Sequence, residues 1–262
     1  PIPETKALMK IIDEVKPDFM FSLHNSGFGG AYWYISQEAP EIYAALHQKT
    51  DDLGIPLHLG EPEAPYIKQL YPAIFRLNGI EEEYDYMEKY GDGKDPAKEI
   101  TAGNSSDSYA AKYGTFTLVA ELPYFCSKKI TDCSPAGFPR AQAAKKGATY
   151  KYESYQEIAS SYALYKKYVH GDNPFTKMLD MMIKLNESSY HASMKYIASN
   201  PDFQKECTIS QAFDSLEIVP FYVLLSWGLC LRGAEVAYRQ AADHDKNELQ
   251  KIVKQLQTIF DE

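Results

Sequence analysis

Two side chains in this sequence stand where side chains commonly do chemistry. His24 closes the apolar run Phe19-Met20-Phe21-Ser22-Leu23 and faces the glycine-rich stretch Asn25-Ser26-Gly27-Phe28-Gly29-Gly30. Glu121 closes Thr115-Phe116-Thr117-Leu118-Val119-Ala120, a run of strand formers with partial alternation. At the carboxyl end of a strand in an open α/β sheet, a side chain leaves the packed layer and can meet a ligand. A neutral imidazole placed there can ligate a metal. A carboxylate partly withdrawn from water is pushed up toward the pKa of a useful general base. Taken singly, each has a plainer reading: a hydrogen-bonded structural histidine, and a surface or ion-paired glutamate. Only the two together suggest an acid/base centre.

The segments that carry these residues resemble one family. Pro3-Glu4-Thr5-Lys6-Ala7-Leu8, Lys16-Pro17-Asp18 and Phe21-Ser22-Leu23-His24-Asn25-Ser26 look like the helix and strand that deliver the third zinc ligand, a histidine, in zinc carboxypeptidases of the carboxypeptidase A type. Tyr113-Gly114-Thr115-Phe116-Thr117-Leu118-Val119-Ala120-Glu121-Leu122 resembles that family's strand ending in the catalytic glutamate, 97 residues further on. The resemblance covers about residues 3–125. It implies His24 as a ligand to Zn2+ and Glu121 as the group that deprotonates the zinc-bound water and later protonates the departing amine. It also implies that Gly103-Asn104-Ser105-Ser106-Asp107 matches the specificity-pocket loop, with Ser106 near the selecting position and Asp107 beside it.

The chain departs from that pattern in definite ways. It contains no His-x-x-Glu, the source of the family's first two ligands, and none of Arg76, Arg140, Arg232 and Arg239 sits in a matching Asn-Arg context. Glu99 occupies the position of the substrate-capping tyrosine, leaving Tyr90 and Tyr109 as the nearest tyrosines. His24 is thus the single zinc ligand matched. The expectation is a metallocarboxypeptidase cutting C-terminal peptide or amide bonds, incomplete and inactive as these 262 residues alone. The alternatives are a relative that binds peptides or cell-wall fragments without cutting them, and a helical interaction module fused to a decayed α/β half.

The fold expected is α/β: a mixed sheet flanked by helices over residues 1–150, its N-terminal portion absent, followed by an α-helical extension over 151–262. A sheet without its first strands exposes an unpaired edge and apolar surface. Leu8, Ile11, Ile12 and Val15 mark a helix over 4–16, and Pro40 to Leu53 marks a second, stopped by Gly54. Residues 78–107 form a long connection with nine acids and three lysines, read equally as a lid or a solvated excursion. Asp172-Asn173-Pro174 starts a long helix. Further helices are expected at about 208–217, 220–242 and 245–260.

Composition sets the partners. With 27 Lys+Arg against 36 Asp+Glu the chain carries a formal charge of -9, which disfavours nucleic acid and anionic membrane surfaces. The apolar run Ile218–Leu231, at 14 residues, is shorter than the ~20 needed to span a bilayer and reads as a core helix. A peptide substrate is the expected partner, with the C-terminal helices available for homo-oligomerisation. Cys126 and Cys133 are close enough to pair or stand as free thiols. Pro1-Ile2-Pro3 offers no signal segment and does not fix a compartment, with a lean to the cytoplasm.

Overall fold

The computed structural model describes residues 1–100 and 103–261. Thr101 and Ala102 of the 78–107 connection, and Glu262 of the helical extension, lie outside the described residues. The chain divides into two compact units, residues 1–140 with 202–214, and residues 141–201 with 215–262.

The first unit is mixed α/β. Helix α1 (Pro3–Val15) has proline in its first turn and ends at Lys16, which takes a left-handed φ of 47° just before Pro17. Strands β1 (Phe19–Gly29) and β2 (Tyr32–Ile35) follow, then α2 (Pro40–Leu53), ended by Gly54 at φ 66°. After the short strands β3 (Gln69–Tyr71) and β4 (Ile74–Arg76), the acidic connection folds into α3 (Ile80–Tyr90), α4 (Pro96–Glu99) and α5 (Ser106–Ala110). Strand β5 (Phe116–Cys126) then enters beside β1. The five strands form one sheet in the order β1-β5-β2-β4-β3. β1 runs parallel to β5 and β2 parallel to β4, while β5/β2 and β4/β3 are antiparallel. Aromatic residues fill its core: Tyr32, Trp33, Tyr34 and Phe75 pack with Ile35, Ile74, Val119 and Ala120, and Tyr43 of α2 closes over them.

Both chemistry-bearing strands run beyond the residues on which the sequence suggests they end. β1 continues through the glycine-rich stretch to Gly29, and β5 passes Glu121 to Cys126. The reason is local. The ladder slips between Asn25 and Phe28, where Gly27 adopts φ 65°, so the glycines make a bulge inside a strand and not a turn after it. His24 and Glu121 therefore sit just before an irregularity in mid-ladder. β1 is an edge strand, and Phe19, Phe21 and Leu23 on it are each more than half exposed, as are Ile11 and Val15 of α1.

A second charged cluster ties the first unit together. His58 Nε2 lies 2.9 Å from Asp214 Oδ2, which also accepts from the Glu61 backbone N–H at 2.7 Å. Arg140 pairs with both Glu61 oxygens and lies over the Phe203 ring. Strands β6 (Pro135–Pro139) and β7 (Glu206–Thr208) pair, followed by α8 (Ile209–Phe213), whose Ser210 donates to the Leu59 carbonyl at 2.9 Å. These contacts return residues 202–214 to a unit that the sequence alone would have closed at about 150.

The second unit is helical. It begins earlier than the sequence indicates, because Arg140-Ala-Gln-Ala-Ala-Lys-Lys are strong helix formers and open α6 (Arg140–Tyr165). In α7 (Pro174–Ser199), Asn173 accepts from the N–H groups of Phe175 and Thr176, the cap its sequence announces. α9 (Val219–Gln240) and α10 (Asp243–Asp261) complete a core of Tyr155, Ile158, Tyr165, Leu179, Trp227, Leu231 and Leu249. The apolar run at 218–231 belongs to a longer helical stretch, Ile209–Gln240. That stretch is long and apolar enough by length and composition to cross a bilayer, with 39% of its apolar window buried in protein. A π-helical turn at Asp214–Ile218 lets the segment continue through Pro220 without a break. All four cysteines are free, Cys126 and Cys133 being exposed.

Candidate active site

Parallel pairing of β1 with β5 sets His24 directly opposite Glu121, and antiparallel pairing of β5 with β2 sets Glu121 opposite Tyr32. Side chains of directly paired residues project to the same face. The row His24, Glu121, Tyr32 therefore crosses three strands, with Ser22, Val119 and Tyr34 forming the next row. Across the first row, His24 Nδ1 lies 2.9 Å from Glu121 Oε1. With its proton on Nδ1 the imidazole donates to the carboxylate.

Glu63 lies over these rows. Tyr32 Oη donates to its Oε1 at 2.5 Å and Tyr34 Oη to its Oε2 at 2.7 Å. Burial first, and then the Glu63 charge, raise both tyrosine hydroxyls well above their ordinary range, so they remain donors. Glu121 is pushed up as well. Burial is the largest cause, the negative charge of Glu63 adds to it, and His24 opposes both. A carboxyl raised in this way holds a proton more readily than an ordinary glutamate, which suits it to general acid/base work.

His24, Glu121, Glu63 and Tyr34 line a cleft of about 240 Å³, together with Leu77, Asn78, Ser105, Ser106 and Asp107. Four of the five residues singled out from sequence thus share one site: His24, Glu121, Ser106 and Asp107. Tyr109 does not join them. Its hydroxyl donates to Asp13 of α1 at 2.7 Å and Lys112 lies over its ring, so it fastens α5 to α1. Tyr90 packs against Tyr86 of its own helix.

Sequence reasoning missed Glu63, Tyr32, Tyr34 and Thr117. The alternation of Tyr32 and Tyr34 about Trp33 was a usable signal that both hydroxyls share a face. Glu63 had none, because it lies in irregular backbone between two prolines.

Zinc is the cofactor the resemblance implies, and the donors can be tested against it. Among the described residues no group of three or more His, Cys, Asp or Glu could hold a metal ion. A catalytic zinc takes three protein ligands and a water. In the cleft Glu121 already faces the His24 nitrogen, so the donor set of this chain does not by itself fit the ion. No family model, curated protein or solved structure matches the chain.

Proposed function

We propose that this chain carries the acid/base half of a hydrolase site of the zinc carboxypeptidase kind, acting on C-terminal peptide or amide bonds. The observation that supports it is the His24–Glu121 pair: two residues 97 apart in sequence meet at 2.9 Å on neighbouring parallel strands, above a cleft that Ser106 and Asp107 also line. Glu121, raised above the ordinary carboxylate range, is the proton carrier. His24, the more exposed of the two, orients that carboxylate and offers the one imidazole for a metal. The remaining ligands of such a site are not among the described residues. The unpaired edge of β1, beside His24, is where another segment bearing them would add.

The test is hydrolysis of N-acylated dipeptides by the polypeptide translated from the whole reading frame. Zinc-dependent turnover that Glu121→Gln lowers by about a thousandfold or more, with zinc content unchanged, supports the reading. Turnover by Glu121→Gln at the wild-type rate, or a whole reading frame without a His-x-x-Glu, overturns it. The 262 residues alone are expected to show no turnover. One observation favours a second reading, a relative that binds peptides without cutting them: the donor set stops short of a metal site. Peptide binding without hydrolysis by the whole polypeptide is the result that would select it.

A further inference from the structure

The cleft beside Glu121 contains a recognition group that neither sequence motif includes. Glu63 is accessible from the cleft, and its carboxylate is fixed by the hydroxyls of Tyr32 and Tyr34, which are themselves buried. Each carboxylate oxygen accepts one tyrosine proton and has capacity for another donor. A carboxylate oriented in advance loses less freedom when a ligand binds than a mobile one does.

A separate observation points to a ligand at the same place. Thr117 lines the cleft, is 2% exposed, and its Oγ1 is buried with no hydrogen-bond partner. Buried hydroxyls are nearly always satisfied, so an orphaned one facing a cleft is a place for an incoming partner. The charge balance then fixes the sign of that partner. Glu63, Asp107 and Glu121 line the cleft, no lysine or arginine does so among the described residues, and the imidazole of His24 is already directed at Glu121. What the cleft lacks is hydrogen-bond donors and positive charge.

We propose that Glu63, with Thr117 lining the same cleft, recognises an ammonium or guanidinium group of the ligand, making the site selective for peptides with a cationic side chain. N–H groups of the ligand donate to the free acceptor positions of Glu63, and one more donates to Thr117 Oγ1. The assignment deepens the hydrolase reading, on which it rests for the position of the bond to be cut; the binding preference itself stands on the cleft alone.

The experiment is calorimetric titration of the chain with three probes near neutral pH: N-acetyl-glycyl-lysine, N-acetyl-glycyl-arginine and N-acetyl-glycyl-norleucine. Norleucine keeps the lysine chain and lacks its charge. The cationic peptides are expected to bind about tenfold or more tightly than the norleucine peptide, the worth of a charge-assisted hydrogen bond. Glu63→Gln should abolish the preference and Thr117→Val should reduce it several-fold. Raising the salt concentration should shrink it in the unaltered chain, a readout that needs no variant to fold. Equal binding of all three probes, or a preference that persists in Glu63→Gln or is indifferent to salt, overturns the proposal. Glu121→Gln separates it from the hydrolase reading. Selective binding without turnover in the whole polypeptide removes only the latter, and turnover without selectivity removes only this one.

Discussion

His24 and Glu121 are register partners of unequal exposure, the imidazole 56% accessible and the carboxylate 9%. The proton they share is therefore governed from the carboxylate side, where water is scarce and a second carboxylate, Glu63, is near. The carbon signal of the Glu121 carboxyl, followed by NMR as a function of pH, should titrate above that of an ordinary glutamate, for the causes in their order: burial, then the charge of Glu63, opposed by His24. Glu63→Gln takes away a raising cause and should bring the midpoint down. His24→Ala takes away the opposing cause and should move it up. Shifts of the opposite sign in either variant would show that a different environment controls Glu121.

The pairing of His58 with Asp214 predicts how stability depends on pH. Burial lowers the affinity of His58 for its proton, but the hydrogen bond and charge of Asp214, the Glu61 carbonyl and the charge of Glu63 together outweigh it, and the net shift is upward. The folded chain then holds this proton more tightly than the unfolded chain. The stabilisation is fully present below about pH 6.5, the unfolded value, and is lost as pH rises through the folded one. Thermal melts of the wild type and His58→Gln should therefore lie furthest apart below about pH 6.5 and approach each other as pH rises through the folded value. A gap that stays constant or widens with pH would mean that His58 is neutral in the folded chain.

How far the sequence disclosed this arrangement depends on what each residue needed. His24 and Glu121 were legible because each ends a recognisable run of strand formers, and because the family resemblance, not a register, joined the two. The continuation of β1 beyond His24 was hidden: glycines mark a turn and a bulge equally well, and only the neighbouring strand decides between them. Tyr109 shows the opposite failure. Its type and position suited a cleft, yet Asp13, 96 residues away, captures its hydroxyl, a contact no local pattern reveals. The return of residues 202–214 to the first unit was hidden for the same reason. It depends on Asp214 reaching His58 across 156 residues.

Gly30 carries a steric prediction. It joins β1 to β2 where Ala31 exchanges backbone hydrogen bonds with Pro56 and His58, at 2.8 and 2.9 Å. A Cβ at Gly30 would lie 2.5 Å from the His58 nitrogen and 2.6 Å from the Leu57 carbonyl carbon, both backbone atoms that cannot rotate away. Gly30→Ala must therefore spread the 56–58 segment from the sheet, and overpacking of this kind costs about 1–3 kcal/mol. Urea denaturation should show that loss with an unchanged slope. A stability equal to wild type would mean that the 56–58 segment yields freely.

The edge of β1 determines how the chain behaves when alone. From Phe19 to Asn25, β1 pairs within its sheet on one side, with β5, and its other side is an edge to which a second strand can add. Phe19, Phe21 and Leu23, all more than half exposed, add an apolar face, and Ile11 and Val15 of α1 extend the exposed apolar surface. Such an edge carries none of the charges that proteins use to discourage pairing. The 262-residue chain should therefore self-associate in a concentration-dependent way, seen by sedimentation velocity. Phe19→Lys with Leu23→Lys should suppress this. Neither side chain lines the cleft, so the peptide-binding preference should be unaffected. If the double variant associates as strongly as the wild type, the contact lies elsewhere, and the exposed face of α9 around Leu224 and Leu225 becomes the next surface to charge.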